Sequence, residues 1–365
     1  MKNLFLGDTS NLTKLIEQIY DPSYSTQFIP AVHNYVSQGE FYFKTPGLSI
    51  RKVLQPAIIT GFSDVIQVGQ YCIYEKLDRI TADKIKVFDV DVAGFDRTRR
   101  LVSVRNLPLL GGLNKAYSML GALSFHWGHF IYEFLPSFVA AIAYLDDDVV
   151  LVLPNELDSV QRSLISAAME LSRKTNKVVF VPKGHSVLVD ELFLVERSAF
   201  VSDHADWMSI YDIVVQDFSH KEMIRLRDSF RPTSSKAAIP RPKKIFLTRV
   251  SQIRPTVGLS DAEYFFRSSG YSVVDPGSLS HDERIDFFSE CEVLTGILGS
   301  SYANLVYCPR VRSVKSFAPF CRCFDGISLA IFRPDSFTNF LVESSGEGIH
   351  PHMILTRKDC ELMVG

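Results

Sequence analysis

The stretch Lys244-Ile245-Phe246-Leu247-Thr248-Arg249 is a short apolar run that closes on a hydroxyl and a cation. An apolar run of this length between polar residues fits a buried strand. Further runs follow at Tyr271–Val274, Glu292–Thr295 and Val311–Phe317, each separated from the last by a segment of helical period. Strands alternating with helices predict a parallel, Rossmann-like sheet. Ser260 with Glu263, and Ser280 with Glu283, have the capping-box spacing that satisfies free N–H groups where a helix begins.

In an open α/β sheet, ligands collect beyond the carboxyl ends of the strands. The residues there are Arg249 and Arg254, then Asp275-Pro276-Gly277, then Gly296-Ile297-Leu298-Gly299-Ser300-Ser301. The last loop runs into Tyr302-Ala303-Asn304-Leu305-Val306-Tyr307, which fits a helix whose N–H groups and positive dipole end would face an anion. A Gly-x-x-Gly turn alone serves equally well as a tight connection. Beside two arginines it predicts a phosphate cradle.

A chain of 365 residues is long enough for two cores. Its 46% hydrophobic and 22% charged residues are ordinary for a globular protein, and a net charge of −2 argues against a general nucleic-acid binder. The local cluster Arg97, Arg99, Arg100 and Arg105 reads as a solvated loop. Met1–Ser10 carries no apolar core of signal-peptide length, and the greasy run Phe130–Leu145 is broken by Glu133 and Pro136. These features predict a cytoplasmic protein, soluble or peripheral on the cytoplasmic face of a membrane. Cys72, Cys291, Cys308, Cys321, Cys323 and Cys360 show no Cys-x-x-Cys pairing and are expected to be reduced.

The N-terminal part reads as a short helix over Leu12–Tyr20, then hairpins and loops punctuated by Pro22, Pro30, Gly39, Pro46, Gly47, Pro56 and Gly61. Strand-like runs follow at Val65–Tyr74 and Lys84–Val92. The second ends in Asp89-Val90-Asp91, where an Asp-x-Asp can hold a metal, although simple alternation in a half-exposed strand explains it too. Asp146-Asp147-Asp148 precedes a strand and reads as a solvated turn. Strand Val149–Leu153, helix Asp158–Lys174 and strands Val178–Val181 and Leu192–Val195 make a second Rossmann-like sheet. A helix near 217–230 leads into a proline-rich linker. The expected organisation is an N-terminal acceptor-side domain at 1–230 with a β-rich start, a linker at 231–242 and a nucleotide-sugar-binding domain at 243–365.

The other informative stretch is Phe125-His126-Trp127-Gly128-His129-Phe130-Ile131-Tyr132-Glu133-Phe134-Leu135-Pro136. Read as a helix, it projects His126, His129 and Glu133 from one face. That face admits a metal site, a structural hydrogen-bonded role, or acid/base chemistry in which a carboxylate orients an imidazole.

Two α/β domains facing each other across a linker form a GT-B-like layout, which alone does not fix function. The motifs go further. The sequence resembles the glycosyltransferase 61 family, which includes bacterial capsular polysaccharide biosynthesis proteins, plant xylosyltransferases and animal O-linked N-acetylglucosaminyltransferases. The resemblance lies in Trp127-Gly128-His129-Phe130 through Glu133 and Leu135-Pro136, in Lys244 through Arg249 with Arg254, in Gly270 through Pro276, and in Gly296 through Asn304. It implies inverting transfer from a nucleotide-sugar donor to a glycan or lipid-linked glycan acceptor. Arg249, Arg254, Asp275, Gly296, Gly299, Ser300, Ser301 and Asn304 would hold the donor. His126 and Trp127 would lie on the acceptor side, with Glu133 or His129 as base and the balance slightly toward Glu133. Positive charge from arginines and a helix end would make a metal or other cofactor unnecessary. One departure stands out: the family pattern is Gly-x-His-Gly-Ala, and Leu298 occupies the histidine position. Leucine cannot hydrogen-bond a phosphate or sugar, so the departure points either to a different donor or to a binding protein that has lost the chemistry.

Overall fold

The computed structural model describes residues 2–6, 16–20, 25–34, 37–45, 50–73, 92–96, 99–195, 220–232, 239–249, 256–319, 332, 336–345 and 352–364. The fold is mixed α/β with several sheets. Two compact units emerge: Met1–Ser25, Pro46–His204 and Tyr211–Ser219 form one, and Thr26–Thr45, Ala205–Ile210 and His220–Gly365 form the other.

The first unit holds strands β1 (Leu109–Ser118), β2 (Val150–Pro154), β3 (Val178–Val181) and β4 (Ser186–Val195) in the order β3–β2–β1–β4. All three neighbouring pairs are parallel. Ala57–Thr60 and Ile50–Val53 extend the sheet antiparallel beside β4. The apolar residues of β2 explain its place, since Leu151, Val152 and Leu153 are at most 1% exposed and a strand buried on both faces needs no polar alternation. Two helical segments matter here. Helix α1 begins at Trp127–His129, widens into a π-helical turn at Phe130–Phe134 and continues over Leu135–Ile142. Helix α2 (Ser159–Leu171) starts at Asp158, whose carboxylate and Gln161 form a reciprocal capping box.

The second unit is built on β5 (Lys244–Leu247), β6 (Ser272–Val274), β7 (Val293–Ile297), β8 (Ser313–Pro319) and β9 (Ser336–Val342). Their order is β6–β5–β7–β8–β9, every pair parallel. Strand Ser25–Asn34 adds to β9, also parallel, so part of the hairpin-rich start belongs to this sheet. Helices α3 (His220–Ser229), α4 (Leu259–Ser268), α5 (His281–Phe288) and α6 (Arg357–Val364) surround it. One turn apart on α4, Ala262 and Phe266 face inward. Phe266 is fully buried, stacks on Phe246 at 4.4 Å between ring centroids and meets Tyr271 edge-on at 5.1 Å. Burying such a ring stabilises the unit by roughly 2–3 kcal/mol.

Several expectations change. Ile16–Tyr20 is a strand paired with Ile50–Val53, not the end of a helix; isoleucine and tyrosine suit a pleated surface. The run Val65–Tyr74 is two short antiparallel strands, Ile66–Val68 and Tyr71–Ile73. The capping box at Ser280 and Glu283 forms. That at Ser260 and Glu263 does not, because α4 begins earlier, after Gly258, and the Glu263 carboxylate takes a hydrogen bond from Thr248. Helix α3, on the N-terminal side of the linker expected at 231–242, clusters with the second unit. Arg227 Nη1 donates to the Phe332 carbonyl at 2.8 Å, and the Phe230 ring packs on His281 and Tyr307. Among the described residues, no helix is long and apolar enough to cross a membrane.

Candidate functional site

Strands β5 and β7 lie side by side with Leu247 opposite Gly296. From β5 the chain proceeds to β6 on one flank, and from β7 to β8 on the other. Where strand order reverses in this way, a crevice opens outside the carboxyl ends of the two strands. The close pairing needs glycine at 296: its φ is +153°, and a Cβ there would lie 2.4 Å from the Leu247 carbonyl oxygen.

Arg249 stands at this reversal. Its Nη2 donates to the Leu298 carbonyl at 3.0 Å. A Cβ on Gly299 would sit 3.4 Å from Nη2, 3.8 Å from Cζ and 3.9 Å from Nη1, so the guanidinium lies flat against loop backbone that carries no side chain. Thr248 is fixed on both sides: its N–H donates to the Val274 carbonyl at 2.9 Å and its hydroxyl to Glu263. After Gly299 the chain enters a 3-10 helix, Ser300–Tyr307, with Ser300 exposed and Ser301 half-buried at its start. A cation, two hydroxyls and the first N–H groups of a helical turn gather hydrogen-bond donors for a phosphate.

The loop is held from behind. Asn304, 1% exposed, accepts from Arg284 Nη1 at 3.1 Å and donates to the Ser301 carbonyl at 2.8 Å. Arg284 also donates through Nε to the Leu279 carbonyl at 3.0 Å. Both polar ends of the Asn304 amide are thus used inside the unit, which makes it a brace for the loop. The Leu298 side chain is buried too, at 6% exposure, and its N–H donates to the Phe317 carbonyl at 2.9 Å. Its carbonyl accepts from Arg249 Nη2. Asp275 follows β6, and its Oδ1 accepts from the Gly277 N–H at 3.0 Å. Arg254, Asp89, Asp91, Cys321 and Cys323 lie outside the described residues.

In the first unit, α1 carries the other set. Pro136 has no N–H for the carbonyl of the preceding turn, and its ring crowds that carbonyl. One turn upstream the ladder accordingly shifts register: the Leu135 N–H bonds to the Phe130 carbonyl, five residues back. The widened turn brings residues four apart into line, and His129 Nδ1 meets Glu133 Oε1. Glu133 is fully buried, whereas the His129 side chain is 23% exposed. A buried carboxylate without such a partner would be costly; with Nδ1–H donated to it, Nε2 remains as the acceptor nitrogen of the ring.

His126 does not share that helical face. It precedes the helix with extended backbone, and its ring centroid lies 6.3 Å from that of His129. Partial burial, then the neighbouring His129, lowers its imidazole from the ordinary value. Trp127 stacks on Phe130 at 6.4 Å. Among the described residues, no group of three or more His, Cys, Asp or Glu side chains is arranged to hold a metal ion.

Two supports escaped the sequence reading. Glu263 had a capping role assigned to it, and Arg284 gave no signal beyond being an arginine in a helix of ordinary polarity. The strand β1 that leads toward α1 was missed because Gly111 and Gly112 interrupt its pattern. No curated protein matches the chain. The family model described as Glycosyltransferase 61 matches residues 127–314, more than half of the 365 residues, from the start of α1 into β8. The chain belongs to glycosyltransferase family 61.

Proposed function

We propose that the protein transfers a sugar, with inversion, from a nucleotide-activated donor to a hydroxyl of a glycan or lipid-linked glycan acceptor during polysaccharide synthesis at the cytoplasmic side of a membrane. The observation that carries the donor assignment is Arg249, fixed at the strand reversal of a parallel sheet in a member of a glycosyltransferase family. In this reading Arg249, Ser300, Ser301 and the N–H groups that follow Gly299 hold the diphosphate, and the second unit is the nucleotide-binding, Rossmann-like half of a GT-B protein.

The first unit supplies the base. Burial favours His129 over Glu133 for that role: a carboxylate with no exposed surface cannot meet an acceptor, while His129 keeps an open edge. His129 Nε2 takes the acceptor hydroxyl proton as the oxygen attacks the anomeric carbon. The bond from that carbon to the diphosphate oxygen breaks, and its electron pair leaves with the nucleoside diphosphate. Glu133 holds the ring tautomer and stabilises the imidazolium that forms; Arg249 and the helix N–H groups stabilise the leaving group. The inward packing of Leu298 supports this assignment, since the groups offered to the diphosphate do not include its side chain.

The test is a panel of nucleotide sugars assayed for protection against thermal unfolding, followed by release of nucleoside diphosphate with and without acceptor glycans. A transferase releases diphosphate from its protective donor. Protection without release, and without transfer to any glycan in the panel, would establish a binding protein on the same fold instead.

A further inference from the structure

Within the first unit a strip of rings leads away from His129. The His126 ring centroid lies 6.3 Å from that of His129, Phe125 lies 4.3 Å from His126, and Phe62 lies 4.4 Å from Phe125. The Lys183 ammonium sits over the Phe62 ring, 5.2 Å from its centroid. Phe62 is buried behind the strip, Phe125 and His129 are half-buried, and His126 and Lys183 are exposed. The surface offered to a ligand therefore runs from the proposed base, across two rings, to a cation.

Three separate segments are locked together to make it. Gly61, just before Phe62, donates its N–H to the His185 carbonyl at 3.0 Å, and a Cβ there would lie 2.3 Å from the Pro182 carbonyl oxygen, so the two turns meet only with glycine at that position. The Lys183 N–H donates to Glu156 Oε1 at 2.9 Å. Gln161, from the capping box of α2, donates through Nε2 to the Phe125 carbonyl at 2.9 Å. Backbone held in this way places the rings and the cation before any ligand arrives.

The cation itself is set apart from its neighbours. In the same unit Lys52, Lys115 and Lys174 lie 2.7 Å, 2.7 Å and 3.6 Å from the carboxylates of Glu191, Asp148 and Asp147. Among the described residues no carboxylate pairs with the Lys183 ammonium, and Glu156 engages its backbone instead. A cation resting on a ring keeps its charge for an anion. Between the two ends, the rings present apolar area that the C–H face of a sugar can cover. Burial, and then His129, lower the His126 imidazole, and a neutral ring both donates to and accepts from hydroxyls.

We propose that this strip is an acceptor subsite in which Lys183 binds an anionic group of the acceptor, carboxylate or phosphate, so that the protein selects acidic over neutral glycans. The inference rests on the transferase reading given above. Lys183 is a specificity residue that touches the acceptor and takes no part in bond exchange.

Calorimetric titration of the full-length protein with two matched pairs of probes tests it: hyaluronan oligosaccharides against the same oligosaccharides after carboxyl reduction, and mannopentaose phosphate against mannopentaose. Wild type should bind the charged member of one pair at least about tenfold more tightly than its neutral counterpart, the effect of one charge-assisted hydrogen bond. The pair that responds tells carboxylate from phosphate. In Lys183→Gln the preference should fall to within about twofold while neutral-glycan affinity and Tm stay close to wild type; Lys183→Arg, which keeps the charge, should retain the preference. A structural role for Lys183 would instead lower Tm and weaken both members of a pair alike. Equal binding within both pairs, a preference that survives in Lys183→Gln, or no binding of either charged probe overturns the proposal. Sugar transfer to a neutral glycan in the panel above would then leave the transferase reading in place, whereas a folded protein that binds neither nucleotide sugar nor glycan overturns both.

Discussion

Replacing Glu133 by glutamine separates the buried carboxylate's charge from its shape. In the proposed mechanism His129 accepts the acceptor proton, and an imidazolium forms against the Glu133 carboxylate bonded to Nδ1. Unit charges about 4 Å apart attract by about 4 kcal/mol where the effective dielectric is about 20. Each 1.4 kcal/mol or so is a factor of ten in rate, so full loss of that attraction slows the chemical step about a thousandfold. Glutamine still accepts from Nδ1–H and keeps the ring oriented, which sets the smaller bound at about a hundredfold. Folding should not suffer. The side chain is fully buried, glutamine has nearly its volume, and a neutral amide carries less desolvation cost there than a carboxylate. The assay is initial-rate release of nucleoside diphosphate at saturating donor and acceptor, with donor affinity measured separately by calorimetry. The expected result is a kcat reduced by two to three orders of magnitude, with donor affinity and Tm close to wild type or Tm slightly higher. A kcat within about threefold of wild type would falsify the carboxylate–imidazole assignment. If Glu133 were itself the base, His129→Asn would retain more activity than Glu133→Gln; with His129 as base the order reverses.

Other perturbations address the second unit. Arg249→Ala should weaken nucleoside diphosphate binding by about ten- to a hundredfold, the worth of one charge-assisted hydrogen bond, and equal affinities in two folded proteins would remove Arg249 from the site. Gly296→Ala should destabilise the protein in urea titration by about 3 kcal/mol or more, since its Cβ meets the Leu247 carbonyl at 2.4 Å and its φ is +153°. Gly299→Ala places its Cβ no closer than 3.4 Å to Arg249; it should fold normally and lose donor affinity, and the reverse ranking of the two variants in stability would contradict the packing described. His281 is held below its ordinary value, chiefly by burial, with Asp282 opposing and Arg284 adding to the shift. The unfolded chain then binds the proton first as pH falls below about 6.5, so this group's contribution is present above that pH and is lost below it. Tm should therefore drop more steeply from about pH 7 to about pH 5 in wild type than in His281→Asn, and parallel acid limbs would show that the residue is uncoupled from folding.

The strands of the second unit were legible because buried parallel strands are continuous apolar runs and every run there ended in a recognisable turn; β5 to β8 fall within a few residues of the expected Lys244–Thr248, Tyr271–Val274, Glu292–Thr295 and Val311–Phe317. What sequence could not carry was lateral order and partnership. Nothing local in Ser25–Asn34 says that it pairs with Ser336–Val342, since register is set by contacts far apart in the chain. The same limit applies to the site. Helical spacing grouped His126, His129 and Glu133 on one face, but a proline four residues beyond Tyr132 forced a π turn and the helix began after His126. The proposed choice of base rests on what accompanies those two local events, a buried Glu133 and a His129 with an open edge. Periodicity reports which residues are neighbours. It does not report which member of a pair meets solvent, and for a carboxylate–imidazole pair that distinction separates the base from the residue that holds it.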